Sequence, residues 1–217
     1  MNTVVLHQFP QSHYCIRIRW LLALKGIPFD VQNYAQTTLN KLASISGGYR
    51  MVPVLQWNSE ITTDSPRIAR LIETKQPTPT IYPAPSNPAL CDMVNSWCDT
   101  KVAPVAARLL VKEYLAFLHS DEDRALYIKN YFEPTHRITP DEAAASKSQY
   151  EEEINGFWEI LEEALNGKQF LFARQLSYAD LGVASRLRLM EMIASYSVPD
   201  RFMRIREWYQ SIRQISD

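Results

Sequence analysis

The chain has 217 residues, enough for one large domain or two small ones around a substantial core. Its net charge of -1 leaves no basic footprint for nucleic acid, and no apolar run is long enough to span a bilayer. Three cysteines (Cys15, Cys91 and Cys98) and four scattered histidines form no metal-type cluster. No metal is expected, and a reduced, cytoplasmic setting is; no basic segment precedes an apolar core, so no leader is expected either.

Residues 3–9 read as a strand, and the stretch Pro10 to Cys15 as a loop running into a helix from His13 to Lys25. Ile16, Trp20, Leu21 and Leu24 form its apolar stripe, with Arg17 and Arg19 facing elsewhere. Gly26 with Ile27-Pro28 ends it, and Phe29 to Tyr34 reads as a second strand. Strand, helix, strand makes a βαβ unit with a parallel pair. Residues 36–50 are weakly patterned, with a short helix over Thr38–Ser44 broken at Gly47-Gly48.

Met51-Val52-Pro53-Val54-Leu55 is the stretch around which the first half is organised. Proline has no N–H for a ladder, so Pro53 belongs at the start or edge of a strand, and the Val52 amide points away from a neighbouring strand. Val54–Trp57 and Glu60–Thr63 then form a hairpin around Asn58-Ser59. Asp64-Ser65-Pro66 opens a helix, with Ser65 as N-cap, Pro66 in the first turn and Ile68, Leu71 and Ile72 on the apolar face. An exposed backbone edge beside a capped helix N-terminus and a carboxylate suits a small zwitterion carrying both a carboxylate and an amine.

Pro77, Pro79, Pro83, Pro85 and Pro88 exclude helix or central strand, and mark a linker. The expected organisation is a first domain over residues 1–77, a linker over 78–88 and an all-α domain over 89–217. Ala89 to His119 reads as one long helix bent at Pro104, with Met93, Trp97, Val105, Leu109 and Leu110 inward. A helix over Asp121–Phe132 follows. Thr139-Pro140-Asp141-Glu142 is a capping box starting a helix to Leu165, stopped by Gly167. Ser177 and Asp180 form a second box, structural rather than chemical, before an apolar helix through Met190. A last helix runs from Pro199 to Ile212.

This layout resembles the glutathione S-transferase family: a thioredoxin-like βαβ-ββα domain with a mixed sheet, a Pro-rich linker and an all-helical domain. Met51-Val52-Pro53-Val54-Leu55 looks like the family's "VPVL" segment, whose Pro is cis. Asp64-Ser65 looks like the pair that holds the γ-glutamyl end of glutathione. Phe170-Leu171-Phe172 with Ser177-Tyr178-Ala179-Asp180 looks like the buried "S-x-A-D" box. Ser12-His13-Tyr14-Cys15 is similar to the glutaredoxin and omega-class pattern, with Ser in place of the nucleophilic Cys and His in place of Pro. That departure argues against a dithiol oxidoreductase and for a serine-type site, the class within the family left open.

The resemblance implies glutathione as co-substrate, with no permanently bound cofactor, and a small hydrophobic electrophile as second substrate. It also implies a cytoplasmic homodimer acting in detoxification. Ser12, at a helix N-terminus, would donate a hydrogen bond to the glutathione sulfur. At roughly 1.5–3 kcal/mol for a bond to a charged group, a thiol titrating near ~8.5 drops by about one to two units. Asp64 would pair with the α-ammonium, Ser65 with the α-carboxylate, and the Val52 backbone, set by Pro53, with the cysteinyl amide. Arg50, then Lys41, are candidates for the glycyl carboxylate, and Trp97, Arg108, Tyr114 and Phe117 for the second substrate.

Plainer roles stand beside these. Ser12 alone is a helix N-cap, Asp64 a turn acid, His13 a loop residue, and Cys15, Cys91 and Cys98 helix thiols. Trp97, Arg108, Tyr114 and Phe117 equally suit packing. Two further readings stay open: a non-catalytic module that binds glutathione or another ligand, and a thiol transferase acting through Cys15.

Overall fold

The computed structural model describes residues 3–172 and 174–216, so Met1, Asn2 and Asp217, at the outer ends of the two expected domains, lie outside it. Strands β1 (Val4–Gln8), β2 (Asp30–Asn33), β3 (Val54–Trp57) and β4 (Glu60–Thr63) form one sheet in the order β2-β1-β3-β4. β2 runs parallel to β1, and β3 runs antiparallel to both β1 and β4, with Leu6 opposite Leu55. This is the mixed thioredoxin-like sheet that the βαβ and hairpin signals predict. Pro53 sits just before β3, and its bond to Val52 is cis.

Helix α1 (His13–Leu24) lies between this sheet and the helical half of the chain. It is therefore buried on more than one face: Ile16, Ile18, Trp20, Leu21 and Leu22 are core, and so is Arg17, which the sequence pattern turns elsewhere. A short helix α2 (Leu39–Ile45) follows a 3-10 turn at Gln36–Thr38. Helix α3 (Ser65–Lys75) begins one residue earlier than expected. Asp64, not Ser65, holds the cap position, and its carbonyl accepts from the Ile68 N–H at 2.9 Å.

The linker is tied down by one lysine. The buried Lys25 Nζ donates to Glu73 Oε2 at 2.5 Å, to the Gln76 carbonyl at 2.7 Å and to the Pro79 carbonyl at 2.5 Å. All three ammonium donors are used, so the end of α1, the end of α3 and the linker share one point.

The expected long helix after the linker is interrupted. It comprises α4 (Pro88–Trp97), a π-helical turn at Cys98–Val102, α5 (Ala103–Leu109) and α6 (Val111–Phe117). Pro104 lies just past the π turn, where a missing donor fits a widened helix. Met93 faces outward at 62% exposure, whereas Val105, Leu109 and Leu110 are core. The next segment is interrupted in the same way: α7 (Asp121–Tyr127), a second π turn at Ile128–Phe132 and α8 (Glu133–His136). The Thr139 box starts α9 (Pro140–Ala145), which gives way at Ser146 to α10 (Lys147–Ala164). The chain closes with α11 (Tyr178–Ala194) and α12 (Met203–Ser216). Among the described residues no helix is long and apolar enough to cross a membrane.

Helix α11 is nearly all buried, and its first turn is held by one carboxylate. Asp180 accepts from the Leu171 and Ser177 backbone N–H groups, both at 2.8 Å, from the Ser177 hydroxyl at 2.5 Å and from Trp208 Nε1 at 2.8 Å. Where α4 crosses α11, Gly182 allows the approach: a Cβ there would stand 1.6 Å from Asn95 Oδ1.

A buried ionic cluster locks α1 to the helical half. Arg17 donates to Asp99 at 2.9 and 3.4 Å, and Arg186 of α11 donates to His13 Nε2 at 2.7 Å. His13 is thus a buried helical residue and not the loop residue expected. Burial, and then the Arg186 charge, push its ring down to about 3. The ring is therefore neutral, and its Nε2, 2.7 Å from Arg186 and 3.1 Å from Asp99 Oδ1, accepts from the guanidinium in one tautomer and donates to the carboxylate in the other. Burial works to raise the Asp99 carboxyl, but the Arg17 guanidinium and the His13 ring together outweigh it and hold the group well below the usual range.

Two stability predictions follow from these contacts. Asp180→Ala orphans several buried donors at once, so urea unfolding should show a loss on the order of 3 kcal/mol. For His13, the unfolded ring takes up a proton near ~6.5 that the folded ring refuses until far lower pH. Stability must therefore fall as pH drops below about 6.5, at roughly 1.4 kcal/mol per unit. His13→Gln, whose amide oxygen still accepts from Arg186, should remove about 2 kcal/mol of the loss between pH 7 and 5. The slope that remains should be set by other groups, including His136, which burial also pushes down, to about 4.

Candidate functional site

A cleft of about 480 Å³ opens between the two halves of the chain. Helix α1 supplies Tyr14 and Arg17 to its wall, and the stretch before β3 supplies Tyr49, Met51, Val52 and Pro53. The start of α3 adds Asp64, Ser65 and Pro66. From the helical half come Asp92, Asn95 and Ser96 of α4, Asp99 and Thr100 of the first π turn, and Tyr131 of the second. A second cavity of about 440 Å³, between α11 and α12, holds none of the residues singled out from the sequence.

The backbone at this cleft is specialised. Val52 lies outside the strand, makes no backbone–backbone hydrogen bond among the described residues, and lines the cleft. Asp64 has φ 71° and ψ 123°, a conformation costly for a side chain with a Cβ, of order 1–3 kcal/mol. The Asp64 carboxylate makes no cap bond to α3, and the residue lines the cleft. The free N–H groups of the α3 first turn, with Ser65 among them, favour a carboxylate. Tyr178 of α11 packs behind Ser65 and Arg17.

Ser12 occupies the N-cap position of α1. Its carbonyl accepts from Cys15 N and Ile16 N, both at 2.9 Å, while its hydroxyl makes no cap bond to the helix. The hydroxyl instead faces the Cys15 thiol. Cys15 is fully buried, and burial pushes its thiol up to about 11. A thiol that is neutral and sealed from solvent is a poor nucleophile, which removes the support for a Cys15 transferase.

The structure thus brings together Val52, Pro53, Asp64 and Ser65. Ser12 and Arg50 are not among the lining residues, and Arg50 and Lys41 are both exposed. The four side chains suggested for a second substrate are also absent from the wall, and the packing role describes them better. Trp97 meets Phe157 edge-on at 5.9 Å, Arg108 lies over Tyr150 at 5.0 Å, Tyr114 packs tilted against Tyr127 at 4.6 Å, and Phe117 is beside His119. Tyr14, Tyr49, Asp99 and Tyr131 line the cleft without having been singled out. Tyr14 sits two residues past Ser12 and was within reach of a motif reading. Asp99 and Tyr131 lie in π turns, which a helical period of 3.6 does not describe.

Comparison with known proteins agrees with the fold. The chain superposes on a glutathione S-transferase of Ceriporiopsis subvermispora, solved in complex with glutathione, with a TM-score of 0.86 at 14% identity, covering 99% of this chain and 98% of that one. It superposes on a glutathione transferase of Phanerochaete chrysosporium with a TM-score of 0.77 at 16% identity, over 98% and 96% of the two chains. FzlA from C. crescentus gives a TM-score of 0.74 at 21% identity, over 97% and 88%. No curated protein sequence matches the chain. Residues 6–80 match the family model for the glutathione S-transferase N-terminal domain, and residues 126–217 match that for the C-terminal domain. The chain belongs to the glutathione S-transferase family.

Proposed function

We propose that the protein binds glutathione in the cleft, ionises its thiol with the Ser12 hydroxyl and adds the sulfur to a small hydrophobic electrophile. One observation carries the reading: Val52, cis-Pro53, the strained Asp64 and Ser65 converge on a single opening beside the N-terminus of α1. In this reading Asp64 holds the α-ammonium and Ser65, with the α3 N-terminus, the α-carboxylate. The Val52 backbone pairs with the cysteinyl amide, and Arg50 swings in to the glycyl carboxylate.

The chemistry rests on the Ser12 hydroxyl, which makes no cap bond to the helix, and on the positive end of α1. A hydrogen bond to a thiolate, at roughly 1.5–3 kcal/mol, suffices to hold much of a bound thiol ionised near neutral pH. No general base is required. Detoxification by a cytoplasmic homodimer belongs to the same reading. Ile61, on the hairpin of the first half, and Met93, on the first helix of the second half, are exposed apolar side chains on the segments through which the family resemblance implies pairing.

A binding-only module is the second reading, favoured by the absence of Ser12 and Arg50 from the cleft wall. One series of variants separates the two. Purified protein should bind glutathione in calorimetry, and Ser65→Ala should weaken that binding roughly tenfold or more. Ser12→Ala should lower turnover of an aryl halide by about 10- to 100-fold with glutathione affinity largely kept. Unchanged turnover in Ser12→Ala, with a loss in Tyr14→Phe, would move thiol activation to the phenol in the wall. Binding without turnover of any electrophile would favour the module.

A further inference from the structure

The two π-helical turns of the helical half both meet the cleft: Asp99 and Thr100 belong to one, Tyr131 to the other. Such turns are rare, well under about 1% of residues, and recur at functional sites because they re-aim side chains that a regular helix would place elsewhere. The second turn presents Tyr131 at 41% exposure. Its ring is backed by Tyr127 at 5.4 Å and 29°, and Tyr127 is backed by Tyr114 at 4.6 Å and 37°. A column of three tyrosines therefore ends in a partly open ring at the cleft.

The other wall is also aromatic and also fixed from behind. Tyr14 is packed on the His13 ring at 3.8 Å, with the Arg17 guanidinium 4.9 Å from its centroid. Tyr14, from α1, and Tyr131, from the helical half, both line the cleft. Both are held before any ligand arrives, so a flat guest would order little on binding.

Resting on the transferase reading above, we infer that Tyr131 sets the second-substrate specificity: it selects a planar aromatic electrophile, stacked on its ring opposite Tyr14, over an aliphatic one. An aliphatic chain on this wall buries apolar area but gains none of the ring–ring attraction.

The test is calorimetry with three probes: glutathione, S-(4-nitrobenzyl)glutathione and S-hexylglutathione. Tyr131→Leu keeps apolar bulk and removes the ring. It should shift the ratio of the two conjugate affinities against the nitrobenzyl compound by several-fold, up to about tenfold. Tyr131→Phe should restore the wild-type ratio. An unchanged ratio in Tyr131→Leu overturns the inference, as does a Tyr131→Phe variant that behaves like it. Wild-type protein that binds none of the three probes overturns the transferase reading, and the inference falls with it. Glutathione binding with no aromatic preference overturns the inference alone.

Discussion

The Arg17–Asp99 pair fixes what the rest of the molecule can do. Both groups are mostly withdrawn from water, so each carries a desolvation cost that the pairing offsets, with His13 beside Asp99 as well. Removing either leaves an uncompensated charge between α1 and the helical half, and so the pair constrains more than it stabilises. It sets the depth of α1 against the first π turn. It also fixes the azimuth of α1, because Arg17 must meet Asp99 while Ile16 and Trp20 stay in the apolar core. With that azimuth given, Tyr14 faces the cleft and Ser12 caps the helix. His13 and Arg186 extend the contact as a neutral acceptor and its donor, and no second carboxylate is needed.

Two further points hold the frame around that contact. Asp180 gathers donors from the chain before α11, from its own cap residue and from α12, so the most buried helix is anchored at its start. Lys25 does the same at the other end of α1, where it ties α3 and the linker. Between them, Gly182 lets α4 approach until Asn95 rests against the α11 backbone. The cleft is what remains open between elements pinned on either side of it. Its floor is built from the locking residues themselves, since Arg17, Asn95 and Asp99 all line it.

Most of the fold was legible in the sequence because its signals are local. The alternating strands, the capping boxes at Thr139 and Ser177, and the crowding of prolines in the linker each declare an element with no need of distant partners. Val52, Pro53, Asp64 and Ser65 were legible for the same reason, as they lie within one short stretch. What the sequence concealed is set by tertiary contact. Arg17 sits at a position that reads as solvent-facing on a one-sided helix, and only packing on both faces of α1 turns it inward. His13 reads as a substitute for proline until Arg186, on α11, supplies its partner. Asp99 and Tyr131 fall where the helical period is broken, so no periodic pattern could assign them a face.

On the proposed transferase reading, the relation between Ser12 and Cys15 would let the site stay unreactive until occupied. With its thiol pushed up to about 11, Cys15 is protonated at neutral pH and only a weak hydrogen-bond partner for the Ser12 hydroxyl. A hydroxyl rotates at little cost, and the N-cap duty of Ser12 is met by its carbonyl alone. A ligand sulfur arriving as thiolate offers a stronger, charge-assisted bond than a buried neutral thiol does. The exchange would release Ser12 toward the ligand and leave Cys15 sealed. On that reading, burial of the neighbouring cysteine would keep a competing nucleophile out of the site and the hydroxyl available, and the burial itself follows from the packing of α1.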